Sequence, residues 1–317
     1  MKKRDLRIVF MGTPEFAVGT LKLMVENNYQ IVGVITAPDR PAGRGQKLHQ
    51  SDVKKYALSQ NLKLLQPVNL KDEDFLTELQ SLNANLQVVV AFRMLPEVVW
   101  NMPEYGTFNL HASLLPDYRG AAPIHWAIIN GEEKTGVTTF FIDEKIDTGA
   151  IILQKETPIY KDETVGSLHD RLQDIGSQLV IETLKLIESG EDKTTIQPKI
   201  EQPKTAYKLN KENCQIDWNE NLDSIYNKIR GLNPFPSAWT NLKTNDDLLM
   251  VKLFDVEKEE KSHNDAIGTI TTSKTELKVS VKGGYIKINE MQLPEKRKMD
   301  IRSLLNGFNF SDGDKML

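Results

Sequence analysis

Short apolar runs separated by amphipathic stretches dominate the first half of the chain. Residues 6–11 (LRIVFM), 29–36 (YQIVGVIT) and 86–92 (LQVVVAF) are continuous apolar runs, a pattern typical of strands that are buried on both faces of a parallel sheet. Apolar residues at helical spacing from Phe16 to Met24 lie between the first two runs. A strand, a helix and a strand within about thirty residues predict a βαβ unit.

The same periodicities predict the rest of this half. Strands are expected at residues 62–65, 107–111, 136–142 and 150–157, and helices from Ser51 and at 73–82, 121–130 and 163–189. Ser51 and Thr164 are candidate N-caps, and Gly190 is a fitting end for the long helix. The pattern predicts an α/β domain with a mostly parallel sheet over residues 1–189.

The pattern changes after residue 189. Residues 190–204 are polar, include Pro198 and Pro203, and are predicted to be an interdomain linker. A helix over residues 222–230, ending at Gly231, is then followed by five short alternating runs, at 238–242, 248–256, 267–272, 277–281 and 285–293. Short strands separated by turn residues predict a small β-barrel, OB-like, over residues 205–317.

Composition and charge narrow the class of protein. The 317 residues carry a net charge of −4 and one cysteine, Cys214, which excludes an intrachain disulfide and a multi-cysteine zinc site. No run reaches the ~20 apolar residues of a membrane-spanning helix, so we expect a cytoplasmic protein without a membrane partner. Lys252, Lys278 and Lys287 form either a basic patch on the predicted barrel or, more simply, an ordinary solvated face.

Two segments near the N-terminus bear on phosphate binding: the turn after the first strand and the loop over residues 37–55. Gly12-Thr13-Pro14 follows the first strand, with Thr13 as a candidate N-cap, but it is not G-x-G-x-x-G, so a dinucleotide site is poorly supported. The loop over residues 37–55 holds five basic and two acidic residues. Its prolines and glycines predict that it begins as neither helix nor strand.

A polar constellation lies at the end of the strand over residues 107–111. Because side chains alternate along a strand, Asn109 and His111 share one face. A later segment, DEKIDTG at residues 143–149, follows the strand predicted at 136–142. If the two strands are neighbours, Asp147 reaches His111, and an amide, an imidazole and a carboxylate are the groups that acyl transfer to an amine requires.

The ordered string of motifs carries a family resemblance. N-x-H-x-S-L-L-P from Asn109, R-G-A-A-P-I from Arg119 and D-x-x-x-D-T-G from Asp143 resemble the formyltransferase family that uses 10-formyltetrahydrofolate. The resemblance implies a Rossmann-like catalytic domain over residues 1–189 and a folate pocket shaped by Ser113, Leu114, Leu115 and Pro116. Arg93 departs from the family pattern after the strand at 86–92, where backbone groups hold the pterin ring.

The resemblance also implies the acceptor. D-R-P-A-G-R-G at residues 39–45 is similar to a loop, in those members whose acceptor is the initiator methionyl-tRNA, that inserts at the acceptor stem. Arg40 and Arg44 then become candidate tRNA contacts, because a guanidinium donates two parallel hydrogen bonds to a phosphate. The implied C-terminal domain is a tRNA-binding OB-like domain, and we expect a monomer.

The chemistry assigns a role to each polar residue. Asn109 donates an amide N–H to the oxyanion that develops on the formyl oxygen. His111 donates as well and serves as general acid, while Asp147 favours the charged imidazole and accepts the proton of the attacking amine. The amine itself attacks, so neither a nucleophilic residue nor a metal is required.

Four other functions remain open from the sequence. The first is a formyltransferase for a nucleotide-linked amino sugar, which the basic loop disfavours, and the second is the enzyme acting on glycinamide ribonucleotide, which lacks the extra domain. A third is a hydrolase that releases formate from the same folate. The fourth is a non-catalytic nucleotide- or RNA-binding protein, which would not need Asn109, His111 and Asp147 together.

Overall fold

A computed structural model of the chain describes residues 3–42, 47–245 and 247–317. Two units make up the chain. The first consists of Met1–Gly120, Gly136–Thr157 and His169–Thr205, and the second of Ala121–Thr135, Pro158–Leu168 and Ala206–Leu317. In the described ranges no helix is both long and apolar enough to cross a membrane.

The first 204 residues contain ten strands and six helices in the described ranges. The strands are β1 (Arg7–Gly12), β2 (Gln30–Ile35), β3 (Arg40–Ala42), β4 (Lys47–His49), β5 (Leu64–Leu65), β6 (Leu86–Val90), β7 (Thr107–His111), β8 (Arg119–Gly120), β9 (Lys134–Phe141) and β10 (Ile151–Pro158). The helices are α1 (Glu15–Glu26), α2 (Asp52–Ser59), α3 (Glu73–Ser81), α4 (Glu97–Trp100), α5 (Pro123–Ile129) and α6 (Val165–Ser189).

A seven-stranded sheet in the order β10-β9-β7-β6-β1-β2-β5 forms the core of the first unit. The pairs β5–β2, β2–β1, β1–β6 and β6–β7 are parallel, and β7–β9 is antiparallel. The central strands are buried, as their apolar runs predict, and Phe10, Phe108 and Phe140 are at most 2% exposed. Burial of each such ring stabilises the fold by about 1.5–3 kcal/mol.

Helix α6 packs on the sheet beside the strand that carries the polar constellation. Its apolar positions Leu172, Leu179 and Leu184 are buried. Gly176 faces Leu110 of β7 so closely that an added Cβ would lie 2.9 Å from a Leu110 methyl group. The missing side chain therefore lets the helix approach β7, and the close packing fixes the position of that strand.

The structure corrects two predictions in the first unit. The loop over residues 37–55 contains an antiparallel hairpin of β3 and β4, with Pro41 opposite Leu48. Proline is tolerated there because a two-stranded ribbon is all edge. The N-cap of α1 is Pro14, without a side-chain cap, rather than Thr13. Ser51 does cap α2, accepting the Lys54 N–H at 3.0 Å.

The C-terminal part of the chain is built mainly from antiparallel strands. After β11 (Thr205–Ala206) and α7 (Leu222–Leu232) come β12 (Ala238–Lys243), β13 (Leu248–Leu253), β14 (Val256–Glu260), β15 (Ile270–Thr272), β16 (Leu277–Val281), β17 (Gly284–Ile288), β18 (Glu290–Gln292), β19 (Met299–Asp300), α8 (Ile301–Leu305) and β20 (Lys315–Met316). A five-stranded sheet has the order β19-β18-β13-β12-β20, and a four-stranded sheet the order β14-β17-β16-β15. The predicted fold class, a Rossmann-like domain followed by a small antiparallel β domain, is confirmed.

Several element boundaries in the second unit differ from the prediction. Helix α7 continues through Gly231, where an added Cβ would lie 2.8 Å from Ile129, so this glycine serves close packing rather than termination. The runs at 248–256 and 285–293 are each two strands. Periodicity does not show these breaks, because the apolar alternation continues across the corner between sheets.

The barrel lysines lie largely in ion pairs. Lys278 pairs with Glu259, and Lys287 lies 3.1 Å from Glu276. These pairs neutralise Lys278 and Lys287 locally and favour a solvated, salt-bridged face there, whereas Lys252 forms no ion pair with a residue that the structure describes.

A buried tyrosine connects segments that are distant in the sequence within the second unit. The Tyr226 hydroxyl on α7 donates to the Asp162 carboxylate at 2.9 Å, and Tyr226 is 7% exposed. Burial and, secondarily, this hydrogen bond raise the pKa of Tyr226 to about 12. The folded pKa lies above the ordinary value of 10.0, so the phenol contributes stability that is complete below pH 10 and is lost as the pH rises through 12.

We predict that Tyr226→Phe lowers the free energy of unfolding by about 1 kcal/mol at neutral pH, because one hydrogen bond is lost. The difference from the wild type should narrow as the pH rises from 10 to 12. Denaturant unfolding across this range measures it. Tyr207→Phe is the matched control, since that tyrosine is 63% exposed. A difference that does not change with pH would contradict the assignment.

Candidate active site

His111 occupies the carboxyl end of β7 and is 6% exposed. Its Nε2 lies 2.8 Å from the Tyr118 carbonyl oxygen. A carbonyl only accepts hydrogen bonds, so Nε2 must carry the hydrogen. The Nδ1 atom then holds the lone pair in the neutral ring and faces the Asp147 carboxylate at 3.9 Å. That distance is beyond a hydrogen bond, and Nδ1 is the ring atom that is left to exchange a proton.

β7 and β9 are neighbouring strands, as the sequence predicts, and the segment after β9 brings Asp147 to His111. The Asp147 backbone adopts φ = +54°, and its Oδ2 accepts the Gly120 N–H at 2.9 Å. A left-handed conformation at a non-glycine residue costs about 1 kcal/mol or more and is a feature of functional sites. The same oxygen, Oδ2, thus accepts the backbone N–H of Gly120 and is the carboxylate atom that faces the imidazole.

The rest of the DEKIDTG segment builds the turn that presents Asp147. Asp143 Oδ1 accepts the Lys145 N–H at 3.0 Å and the Thr148 hydroxyl at 2.7 Å. Gly149 is required for steric reasons, because an added Cβ would lie 1.7 Å from the Phe141 carbonyl oxygen. The two ends of the motif are therefore structural, and they orient the aspartate between them.

Gln197 was not among the residues that the sequence singled out, and it holds the same turn from outside. Its Nε2 donates to the carbonyl oxygens of Asp147 and Gly149 at 3.0 and 2.8 Å. Its Oε1 accepts from Nε and Nη2 of Arg119 at 3.2 and 2.6 Å. Gln197 lies in the polar segment predicted to be a linker, and no periodicity or motif in the sequence marks it.

Asn109 lies one alternation before His111 on the same face of β7, and it is partly exposed. Its neighbours across the sheet are Val89 and Phe140. Its amide makes no side-chain hydrogen bond to any residue that the structure describes. The preceding position on that face differs, because the Thr107 hydroxyl lies within hydrogen-bond distance of Gln87 Oε1, at 2.9 Å, and of the Trp100 carbonyl oxygen, at 2.7 Å. Asn109 is therefore the amide left available for a ligand.

The Ser113–Pro116 turn is packed against β9 and β10. The Ser113 hydroxyl donates to the Asp117 carbonyl at 2.7 Å, and Leu115 has its N–H and C=O bonded to Thr138 and Gln154. Leu114 packs where Gly136 leaves room. Pro116 lines a pocket of about 770 Å³. The role of these four residues in holding a folate stays a prediction.

That pocket lies beside the pair of His111 and Asp147 rather than around it. Arg119 and Gln197 line it together with Trp100, Pro116 and Lys145, whereas His111 and Asp147 do not. Its volume is within the range of small-molecule sites. In the described ranges, no group of three His, Cys, Asp or Glu side chains is placed to hold a metal ion.

The two candidate tRNA-contacting arginines lie on the β3–β4 hairpin. Arg40 is exposed at the start of β3, opposite His49. Arg44 lies outside the described residues. The side chain of Arg93, the departure from the family pattern, turns toward residues 67 and 68.

Comparison with protein families and known proteins assigns the class. A family model described as formyl transferase matches residues 6–184, and one described as the formyl transferase C-terminal domain matches residues 208–309. The chain belongs to the formyl transferase family and is an enzyme, a transferase.

Individual relatives are similar to this protein over nearly the whole chain. The methionyl-tRNA formyltransferase of Flavobacterium johnsoniae is 60% identical over 98% of this chain and 99% of its own length. That of Bacteroides thetaiotaomicron is 51% identical over 100% of both chains.

Solved structures agree on the fold. The sugar 3N-formyl transferase WlaRD is 21% identical with a TM-score of 0.65, covering 93% of this chain and 100% of its own. HypX from Aquifex aeolicus, in complex with tetrahydrofolic acid, is 19% identical with a TM-score of 0.63, over 96% of this chain and 47% of its own.

We predict that neutral His111 carries its proton on Nε2. The Tyr118 carbonyl enforces this tautomer, so ¹⁵N NMR should show Nε2 with a pyrrole-type shift and Nδ1 with a pyridine-type shift. Asp147→Asn should leave the tautomer unchanged, because that side chain lies 3.9 Å from the other nitrogen. His111→Gln assigns the signal. A neutral ring that is protonated on Nδ1 would contradict this geometry.

Proposed function

We propose that this enzyme transfers the formyl group of 10-formyltetrahydrofolate to the free amino group of initiator methionyl-tRNA, for translation initiation. The observation that carries the proposal is the convergence of Asn109, His111 and Asp147 at the end of β7, with His111 Nδ1 3.9 Å from the carboxylate. Relatives named methionyl-tRNA formyltransferase, similar over nearly the whole chain, support the acceptor.

In the reaction, a bond forms between the amine nitrogen and the formyl carbon, and the bond between that carbon and the folate nitrogen breaks. The folate supplies a formyl group on an aryl-substituted nitrogen. The neutral amine attacks the formyl carbon, and the π electrons move to the oxygen, where the Asn109 amide donates a hydrogen bond and His111, once it is protonated, donates a second. The bond from carbon to the folate nitrogen then breaks, and that nitrogen takes a proton.

His111 and Asp147 handle the protons in this proposal. The attacking amine becomes an ammonium and must lose a proton. The proton acceptors are the Nδ1 lone pair of His111 and the Asp147 carboxylate, which lie 3.9 Å apart. The imidazolium that forms is stabilised by the adjacent carboxylate. It then protonates the leaving nitrogen as general acid, which returns the ring to its starting state.

Each region of the chain has a part in this proposal. Residues 1–189 form the catalytic domain, 190–204 the linker and 205–317 the OB-like tRNA-binding domain. The turn from Ser113 to Pro116 shapes the folate pocket; in support, HypX, which has a related fold, forms a complex with tetrahydrofolic acid. Arg40 and Arg44 contact the phosphates of the tRNA, and the enzyme acts as a monomer.

We predict that Asn109→Ala lowers kcat by about 10²–10³-fold, the typical cost of one oxyanion donor, and that His111→Ala lowers turnover far more than it weakens folate binding. Single-turnover rates with saturating folate, together with folate affinity measured by fluorescence, separate the two effects. Asn27→Ala is the matched control, since that asparagine is exposed on another element and donates only to Leu23. A near wild-type single-turnover rate for His111→Ala would exclude it as the acid.

The acceptor is tested by direct comparison. We expect formyl transfer from 10-formyltetrahydrofolate to charged initiator tRNA, and little or none to a UDP-linked amino sugar or to water. Mass spectrometry of the aminoacyl ester and of the sugar, with a formate assay for the water reaction, measures all three. Activity on the sugar alone would show that the acceptor is an amino sugar, while the formyl-transfer chemistry would stand. Formate release alone would make the enzyme a hydrolase, and no activity on any of them would favour a binding protein.

A further inference from the structure

Arg93 directs its guanidinium into the backbone of a neighbouring loop. Nη1 donates to the Val68 carbonyl at 2.8 Å, and Nη2 donates to the Pro67 carbonyl. The guanidinium also lies 5.7 Å from the centre of the Phe92 ring. Two carbonyls on consecutive residues fix the planar fork in one orientation. The residue that departs from the family pattern is thus a rigid link between the end of β6 and residues 67 and 68.

The same loop is connected to the base of the β3–β4 hairpin. Gln66, adjacent to Pro67, donates its amide to the Ala37 carbonyl at 2.9 Å and to Asp39 Oδ1 at 3.0 Å. Asp39 Oδ2 in turn accepts from Lys54 Nζ at 2.6 Å. These hydrogen bonds, that of Lys54 first, lower the pKa of Asp39, so the carboxylate is charged at neutral pH. Arg40, the exposed arginine of the hairpin, directly follows it.

Arg93 is constrained further by its surroundings. Its Nε is buried without a hydrogen-bond partner among the residues that the structure describes. Burial and, secondarily, the charge of Arg40 lower the pKa of Arg93. An unpaired buried N–H costs free energy, and the hydrogen bonds of Nη1 and Nη2 to the two carbonyls offset that cost.

We propose that Arg93 is a positioning residue for the β3–β4 hairpin: through Pro67, Val68 and Gln66 it holds the base of the hairpin at Ala37 and Asp39, and so sets where Arg40 meets the phosphate backbone of the acceptor. This inference rests on the proposed function, because it takes a nucleic acid as the acceptor. The path consists of the Arg93 hydrogen bonds to residues 67 and 68 and the Gln66 hydrogen bonds to Ala37 and Asp39. It assigns a role in acceptor binding to a residue that the family pattern would place in the folate pocket wall.

The test compares Arg93→Met with Arg7→Met in the full-length enzyme. Arg7 is a matched control: its Nε and Nη2 also donate to consecutive carbonyls, those of Asn83 and Leu82 at 3.0 and 2.8 Å. We expect Arg93→Met to raise the KM for charged tRNA about tenfold, equivalent to about 1.4 kcal/mol, with the KM for 10-formyltetrahydrofolate and kcat within about twofold. Arg7→Met should change none of the three, and Arg93→Lys should restore part of the tRNA affinity.

Two further readouts separate this role from general destabilisation. Hydrogen exchange of the free enzyme should increase at residues 37–42 and 47–49 in Arg93→Met and not in Arg7→Met. Gln66→Ala should raise the KM for tRNA as well, and the double variant should be no worse than the poorer single variant, because both residues act along one path.

The outcomes are distinguishable from a failure of the proposed function. If the wild-type enzyme does not use charged tRNA, the proposed acceptor is wrong. The hydrogen-exchange measurement on the free enzyme still tests whether Arg93 holds the hairpin. A changed KM for the folate with an unchanged KM for tRNA would overturn the inference and make Arg93 a pocket-wall residue. Equal hydrogen exchange in the two variants, or additive effects of Arg93→Met and Gln66→Ala, would overturn it as well.

Discussion

The position of β7 between a parallel and an antiparallel neighbour is the constraint on which the candidate active site depends. β6 pairs with it in parallel register, and β9 returns along its other edge. Because β9 runs in the opposite direction, the segment that follows β9 starts beside the other end of β7, and it must return toward His111 to place Asp147 there. The DEKIDTG turn makes that return, and Asp143, Gly149 and Gln197 hold it in place.

Much of the first unit could be predicted from the sequence because its apolar runs report burial directly. The strand Thr107–His111 and the neighbouring strand followed by Asp147 were expected, and their adjacency is confirmed. The alternation rule placed Asn109 and His111 on one face without any knowledge of the fold. What periodicity detects is the contrast between buried and exposed positions, and that contrast is strong in a sheet covered on both faces.

The features that were missed are those with no local signal. Gln197 acts through backbone carbonyls fifty residues away in a polar segment, and its sequence context resembles any linker. The β3–β4 hairpin escaped prediction because Pro41 and the glycines dominate local propensity, while the contacts that fix its base come from Gln66. Gly231 looked like a helix terminator, and only the approach of Ile129 shows why a glycine stands there inside the helix. In each case a distant partner decided the outcome.

Because Nε2 of His111 is bonded to the Tyr118 carbonyl, the two nitrogens of the ring have different roles. Nε2 is occupied by the backbone, so the orientation of the imidazole is fixed by the fold rather than by a substrate. The remaining nitrogen faces Asp147 without a fully formed hydrogen bond. An imidazole held this way does not have to break an internal hydrogen bond before its free nitrogen exchanges a proton.

The second unit also has a consequence for how the protein can be divided experimentally. Ile129, from a segment more than seventy residues before Ala206, packs against its hydrophobic core, and Arg230 of α7 donates to the Tyr160 and Glu163 carbonyls. A recombinant fragment cut in the polar stretch before residue 205 would leave those partners behind. The isolated C-terminal fragment would then expose apolar surface that the intact polypeptide covers. Expression trials should supply the missing segments, Ala121–Thr135 and Pro158–Leu168, as separate peptides or by circular permutation of the chain.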